Sequence, residues 1–444
     1  MTNTTYSDII IEKFSERSVI MNYNEYINYL KESANRGICL GLERISALME
    51  KIGNPQNKTK IIHVAGTNGK GSFCAMLSAV LKNSGYKTGT FSSPALTGIT
   101  DYFRINCEEI TEKDFTEIMD KVYPACESMT DKPTEFEILT AIAFELFAHK
   151  KCDIAVVECG MGGDTDSTNV ITAPVLSVIT NVQKDHTAIL GKTIDEIASH
   201  KAGIIKHGIP VFFGGGDIPE VIEKTAHEKK SQLFTIDYSD IKTCYPAPIC
   251  SLSGTSFMYK GMKINLSLIG THQFENAVSV LNCIEILKNQ DFNIPYKAIK
   301  SGLASVKWHG RFEILRKNPL VIFDGAHNPD CVQNLSYTIE QCFGKNKMAF
   351  LIGVMADKDY NCYADILREH TELVFTVKPD NPRSLDCQTL AGSFSDKGIP
   401  ACAFHDLEEC VKSAYLYAKE KNIPLIAMGS LYMYNDFINT LEKI

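Results

Sequence analysis

The seven residues Gly66-Thr67-Asn68-Gly69-Lys70-Gly71-Ser72 stand between the apolar run Lys60–Ala65 and an apolar helical pattern over Gly69–Asn83. A buried strand that turns through glycines straight into a helix opens a β-α-β unit, and the strand paired next lies parallel to the first. The rest of the chain continues the theme. β-Branched runs at Lys87–Phe91, Asp153–Cys159, Pro174–Thr180 and Pro210–Phe213 read as further strands, and Thr134–His149, Thr193–Ile205 and His272–Lys288 as helices. A second series begins at Pro319–Phe323 and runs through Lys347–Ile352, Leu373–Val377, Ala401–Phe404 and Pro424–Met428, with helices between. The break falls at Ser301–Arg311, which holds the only tryptophan, Trp308, and the turn-prone His309-Gly310. A length of 444 residues also exceeds one ordinary core. The expected fold is α/β: residues 1–305 as a P-loop ATPase-like domain with a mostly parallel sheet, and residues 306–444 as a smaller Rossmann-like domain. A cleft between them suits an enzyme that closes on two substrates.

The glycine-rich turn points to phosphate. Glycines let backbone N–H groups converge on phosphate oxygens, the helix N-terminus adds positive dipole, and Lys70 reaches the outer phosphates. Ser72 is placed to hold Mg²⁺ through its hydroxyl. The fit to GxxxxGK[ST] is imperfect, because Val64 stands where the first glycine belongs and Gly71 separates Lys70 from Ser72. A plain strand-to-helix turn is the alternative, and the strand–loop–lysine–helix context argues against it. The run Ile154-Ala155-Val156-Val157 ends in Glu158, followed by Gly160-Met161-Gly162-Gly163. A carboxylate at the carboxyl end of a buried strand lies where open α/β sheets bind ligands, and its hard oxygen suits Mg²⁺. The alternative is a strand-end glutamate facing water. His186, just beyond the next strand, is a candidate to ligate a metal or polarise a phosphoryl oxygen, or else a polar loop residue. Periodicity alone marks Lys201 as a solvated charge.

A formal net charge of −8 sets nucleic acid aside as a partner, since binding its backbone needs a clustered basic face. No stretch of about 18 uninterrupted apolar residues occurs, so no membrane span is expected, and the N-terminus lacks the long apolar region of a secretory signal. The 15 cysteines are scattered singly, and Cys74, Cys159 and Cys283 sit inside apolar patterns as small hydrophobes. The expected setting is a reducing cytoplasm.

Taken in order, the motifs resemble one family. His63–Ser72, HVAGTNGKGS, is similar to the phosphate loop of folylpolyglutamate synthases and dihydrofolate synthases, within the Mur ligase superfamily. Leu40-Gly41-Leu42-Glu43-Arg44 and Gly53-Asn54-Pro55-Gln56 resemble that family's lead-in, and Glu158–Asn169 its E-x-G-x-G-G-x-x-D-x-T-N segment. Asp185-His186-Thr187, Lys201-Ala202-Gly203-Ile204, His272-Gln273 with Asn276, and Trp308 with Gly310-Arg311-Phe312-Glu313 follow. Asp324-Gly325-Ala326-His327-Asn328 and Gly429-Ser430-Leu431-Tyr432 complete the series, so the likeness runs from about residue 25 to the C-terminus.

The resemblance implies an ATP-dependent ligase of folate biosynthesis. It would join L-glutamate to dihydropteroate, to reduced folates, or to both, through an acyl phosphate. Thr67, Asn68, Gly69, Lys70, Gly71, Ser72, Asn276, Arg311, Asp324 and His327 would hold ATP. Ser72 and Glu158 would hold the first Mg²⁺, and His186 with Glu158 a second. Lys201 matches a family lysine that carries a carbamate and so becomes a metal-binding anion. Lys70, His186 and Lys201 are the expected catalytic residues, and Ser93, Pro94, Arg104 and Asp166 belong to the acceptor side. Arg383 is a candidate for the carboxylates of the incoming glutamate, since a guanidinium suits bidentate contact. A monomer is expected.

Two departures fall near the acceptor. Ala95 follows Ser93-Pro94 where the family usually has histidine, and Asp164 stands where it has arginine. Asp164 would either repel an anionic polyglutamate tail or sit exposed without effect. These changes keep open a family ligase with another pterin-like or peptide acceptor. A ligase for UDP-MurNAc-peptides is the remaining enzyme alternative. Those enzymes carry a nucleotide-sugar domain before the phosphate loop, where this sequence has only residues 1–59 before its first strand. A non-catalytic nucleotide-binding relative fits poorly with the presence of Lys70, Ser72, Glu158, His186 and Lys201.

Overall fold

The computed structural model describes residues 21–37, 39–236 and 247–444. The first sheet contains β1 (Lys60–Ala65), β2 (Thr88–Phe91), β3 (Phe103–Ile105), β4 (Glu108–Glu109), β5 (Ile154–Glu158), β6 (Leu176–Ile179), β7 (Val211–Phe213) and β8 (Leu233–Thr235). They lie in the order β4-β3-β2-β5-β1-β6-β7-β8. From β2 to β8 all neighbours are parallel, and β3 and β4 add an antiparallel edge.

Both faces of this sheet are covered, which is why its strands read as continuous apolar runs. Ile62 and Val64 of β1, with Ile154 and Val156 of β5, face the helices Lys70–Asn83, Thr271–Lys288 and Tyr296–Ser305. Their chain neighbours Ile61, Ala155 and Val157 face Tyr23–Ala34, Glu43–Lys51, Glu112–Glu127 and Glu135–His149. Each fully buried Ile or Val among them contributes about 1.5–3 kcal/mol of transfer free energy.

A small antiparallel sheet follows, with β9 (Ile249–Ser251), β10 (Gly254–Tyr259) and β11 (Met262–Leu266) in the order β11-β10-β9. Phe257, Tyr259, Ile264 and Leu266 pack into the first core, while Cys250 on the other edge packs into a core of the second sheet. That second sheet contains β12 (Glu313–Lys317), β13 (Leu320–Asp324), β14 (Met348–Ile352), β15 (Thr371–Val377), β16 (Ala401–Phe404) and β17 (Leu425–Met428). Its order is β12-β13-β17-β14-β15-β16, parallel except for β12. Ile322, Phe350 and Val374 face the helices Pro329–Phe343 and Cys387–Ser395, and Val321, Leu351 and Phe375 face Leu407–Lys421 and Tyr434–Glu442.

The two α/β sheets are those expected, with strand ends shifted by a residue or two. The sequence reading missed β3, β4, β8, β12 and the small sheet. All but β10 are short or lie at an edge with one face open to water, so polar residues interrupt their apolar pattern; β10, the middle strand of the small sheet, is interrupted by Gly254, Thr255 and Ser256. Among the described residues no helix is long and apolar enough to cross a membrane.

Candidate active site

Parallel register assembles the chemistry at one edge of the first sheet. Val64 pairs with Glu158 and Ala65 with Ile179, so the loop after β1 lies between the ends of β5 and β6. Glu158 shares the parity of Ile154 and Val156, which directs its carboxylate to the side covered by the helix Lys70–Asn83. The Lys70 ammonium lies 4.0 Å from Glu158 Oε1 and donates to the carbonyls of Gly66 (3.1 Å) and Thr67 (3.2 Å). Ser72 is buried, and its Oγ accepts from Gln273 Nε2 (3.2 Å), whose Oε1 accepts from Asn276 Nδ2 (3.2 Å). Helix Thr271–Lys288 thus orients the serine.

Gly71, the residue that breaks the Lys-Ser spacing, has a packing reason. A Cβ there would stand 3.0 Å from the Trp308 ring, which covers the loop from the interdomain segment.

Glu158 is 3% exposed, and its Oε2 has no hydrogen-bond partner among the described residues. Burial pushes its carboxyl up to about 7, against the pull of Lys70 and Arg311. An unpartnered buried carboxylate oxygen beside a glycine-rich loop at a helix start suits a hard cation. Among the described residues no group of three or more His, Cys, Asp or Glu is arranged for a metal.

The loop, Glu158 and the second domain enclose a cavity of about 800 Å³. Thr67, Asn68, Gly69, Lys70, Gly71 and Ser72 line one wall, and Asn276 adjoins them. Ser93, Pro94, Asp166 and His186 also reach the cavity from the first domain. Arg311, Asp324, His327 and the exposed Arg383 face them from the second. A shallower hollow of about 870 Å³, lined by Lys260, Lys263, Lys297 and Lys300 among others, lies against helix Tyr296–Ser305 and contains none of these groups.

Two expected residues stand outside the cavity. Lys201 is buried beneath the loop and donates to the Gly66 carbonyl at 2.9 Å, and burial, reinforced by Lys70, lowers its amine to about 7. Arg104 lines a smaller adjacent hollow, ion-paired with Asp101 and 4.8 Å from the centre of the Trp308 ring. Two carboxylates at the cavity are engaged by backbone. Asp324 accepts from the N–H groups of Phe312 and Ala326, both at 2.8 Å, and Asp166 from those of Met161 (2.9 Å) and Thr168 (3.0 Å).

Asp164, the acid in place of the family arginine, does not line the cavity. Both its carboxylate oxygens lie 3.0 Å from His200 Nδ1, and its N–H donates to the His200 carbonyl at 2.8 Å. It fastens the loop after β5 to helix Ile194–Ala202, a role the sequence did not suggest.

The sequence reading also passed over the polar bridge between the domains. Asn68 Nδ2 donates to Gln183 (2.8 Å) and Asp330 (3.1 Å), and its Oδ1 accepts from Asn328 (3.1 Å). The Asp185 carboxylate lies 2.6 Å from Lys358 Nζ and 3.6 Å from His327 Nε2. Burial alone would raise Asp185, but His327 and Lys358 hold its carboxyl well below the usual range. A signal for Lys358 did exist, since Ala356-Asp357-Lys358-Asp359 follows the carboxyl end of β14, where α/β sheets collect ligand contacts.

Comparison with known proteins agrees with this geometry. The profile of the Mur ligase middle domain matches residues 64–284, and that of the Mur ligase glutamate ligase domain matches residues 310–431. A dihydrofolate synthase/folylpolyglutamate synthase of Bacillus subtilis is 33% identical, with 95% of this chain and 99% of that protein covered. The folylpolyglutamate synthase of Mycobacterium tuberculosis, solved with ADP and AMPPCP, has a TM-score of 0.84 at 28% identity, covering 94% of this chain and 98% of that one. The bifunctional folylpolyglutamate synthase/dihydrofolate synthase of Yersinia pestis, solved with AMPPNP and a Mn ion, has a TM-score of 0.80 at 27% identity, covering 96% and 99%.

Proposed function

The chain belongs to the dihydrofolate synthase/folylpolyglutamate synthase family of Mur ligases, and from that membership we propose that one active site adds L-glutamate both to dihydropteroate and to reduced folates. The observation that carries the reading is the convergence of Lys70, Ser72 and the unpartnered Glu158 oxygen on a cavity that Arg311 and His327 line from loops of the second domain. The acceptor carboxylate attacks the γ-phosphate of ATP, ADP leaves, and the glutamate amine displaces phosphate from the acyl phosphate.

Such chemistry asks the protein for positioning and charge neutralisation more than for covalent catalysis. The N-terminus of helix Lys70–Asn83 offers backbone N–H groups to the phosphates. Lys70 exchanges two carbonyl contacts for phosphate oxygens, and Arg311, Asn276, Asp324 and His327 hold the nucleotide. Ser72 and Glu158 would hold one Mg²⁺ and Glu158 with His186 a second, and the chemistry so supplied would be Lewis-acid withdrawal of charge from the phosphoryl group. Ser93, Pro94, Arg104 and Asp166 form the acceptor side, and Arg383 receives the glutamate carboxylates.

Lys201 carries a carbamate in this reading. Burial favours its neutral amine, the form that adds CO₂, and the product puts an anion beneath the phosphate loop, where Lys201 now contacts the Gly66 carbonyl. A carbamate carbon signal after labelling with ¹³C-bicarbonate, missing from Lys201→Ala, is the expected result, and its absence from the wild type would remove the assignment. The domain boundary falls between residues 305 and 306. The chain works as a cytoplasmic monomer, with no nucleic-acid or membrane partner.

The deciding experiment measures glutamate-dependent ADP release with Mg²⁺ and ATP, offering 7,8-dihydropteroate and a reduced folate separately. Turnover with both is expected. Turnover with one alone would reduce the function to that activity, and turnover with neither would refute the acceptor assignment.

A further inference from the structure

Helix Pro329–Phe343 touches a different partner at each end. At its start, Asn328 and Asp330 hydrogen-bond Asn68 of the phosphate loop, and Cys331 Sγ lies 3.3 Å from Asn68 Oδ1. Near its end, Cys342 Sγ lies 3.9 Å from Cys250 Sγ. Cys250 is on β9, in the small sheet whose other strands pack into the first core, so the two thiols face each other across the domain junction. Roughly 20 Å of stiff helix, at about 1.5 Å per residue, couples that junction to the nucleotide loop.

The pair is placed to react. Disulfide sulfurs stand about 2.05 Å apart, so bond formation needs an approach of only about 2 Å. Cys342 is half-buried and accessible to a small oxidant, while Cys250 is buried. The Cys342 thiol and the Thr255 hydroxyl hydrogen-bond the Cys250 sulfur and lower its thiol, while the same contact and burial raise that of Cys342.

We propose that Cys250 and Cys342 form a reversible disulfide that locks the two domains together and stops the catalytic cycle. A low-molecular-weight disulfide is the oxidant. When the proton shared by the pair moves onto Cys250, the accessible Cys342 thiolate attacks this oxidant, releasing one small thiol, and Cys250 then gives up that proton and displaces the second. Two S–H bonds are lost, one S–S bond forms, and the two electrons and two protons leave on the two small thiols. The existing bridges, Asn68 to Asn328 and Asp330 and Asp185 to Lys358, are non-covalent and can part as the cleft opens to exchange ligands. A covalent bond cannot.

The functional consequence rests on the ligase reading, so one readout is independent of turnover. The full chain is treated with oxidised glutathione and mapped by non-reducing peptide analysis. Ligase turnover is then measured, along with the rate at which ADP changes the fluorescence of Trp308, the only tryptophan, which lies on the loop. A linked Cys250–Cys342 peptide is expected, with turnover and the ADP-binding rate both lowered more than about tenfold and restored by dithiothreitol. Cys342→Ser, and independently Cys250→Ala, should resist the oxidant. The proposal is overturned if no linked peptide forms, if a linked peptide leaves the ADP-binding rate unchanged, or if both variants are inhibited like the wild type. A reduced enzyme without turnover would refute the ligase reading alone, because the linked peptide and the slowed ADP binding would still establish the lock.

Discussion

Gly203 lies at the end of helix Ile194–Ala202, directly against the loop that follows β5. A Cβ at this position would stand 2.3 Å from Asp164 Cβ, 2.4 Å from its Cα and 2.8 Å from its N. Backbone cannot rotate away as a side chain can, so Gly203→Ala must part helix and loop by about 1 Å to restore van der Waals contact. That motion stretches the Asp164 N–H bond to the His200 carbonyl (2.8 Å) and the Asn169 amide bond to the Gly203 carbonyl (3.3 Å). Overpacking of about 1–3 kcal/mol plus about 1 kcal/mol of weakened hydrogen bonding gives a loss of roughly 2–4 kcal/mol. At about 2–4 °C per kcal/mol for a large domain, Tm should fall by roughly 4–16 °C. The helix also carries Lys201, now 2.9 Å from the Gly66 carbonyl, so turnover of the folded fraction should fall on the order of 10²-fold. Scanning calorimetry and the ADP-release assay below Tm measure the two effects. Gly392→Ala is the control, since Gly392 lies within helix Cys387–Ser395 with open space at its Cβ, and it should stabilise by about 0.5–1 kcal/mol. Wild-type Tm and turnover in Gly203→Ala would refute the close-approach argument and the link to Lys201.

The other predictions concern charge. Lys70→Ala should lower turnover by about 10³-fold or more with the far-ultraviolet circular dichroism unchanged, and an active variant would remove the phosphate-loop assignment. Glu158 titrates near 7 in the folded ligand-free protein, above its ordinary 4.5, so the folded state binds this proton more tightly than the unfolded one. Its contribution to stability is therefore fully present below about pH 4.5 and lost as pH rises through about 7, on the order of 3 kcal/mol in all. Glu158→Gln should flatten that part of the pH dependence, seen as a Tm difference from wild type that grows between pH 5 and 8, while magnesium-dependent turnover disappears; a constant difference would contradict the burial argument. Asp164→Ala should leave the KM for a polyglutamylated folate within about twofold, because Asp164 faces His200 and not the cavity, whereas a large fall in KM would revive like-charge repulsion.

Alternation of apolar runs with helical periods is a local property, and it was sufficient to show two α/β sheets. The strand–loop–lysine–helix order likewise placed Lys70 and Ser72 at a helix start, because glycine turns and helix caps act over only a few residues. Glu158 at a strand end was legible for the same reason. Edge strands such as β4 and β12 were not, since one open face allows polar residues and removes the apolar signal. What lay wholly outside the sequence were contacts between distant segments. Asn68 and Asp330 are 262 positions apart, Asp185 and Lys358 are 173, and Cys250 and Cys342 are 92. The burial that lowers Lys201 and raises Glu158, and the turning of Asp164 towards His200, also depend on which elements stack together. Turn chemistry and periodicity act along the chain and are written in it, whereas burial and pairing act through space, and only the packing of the two sheets decides them.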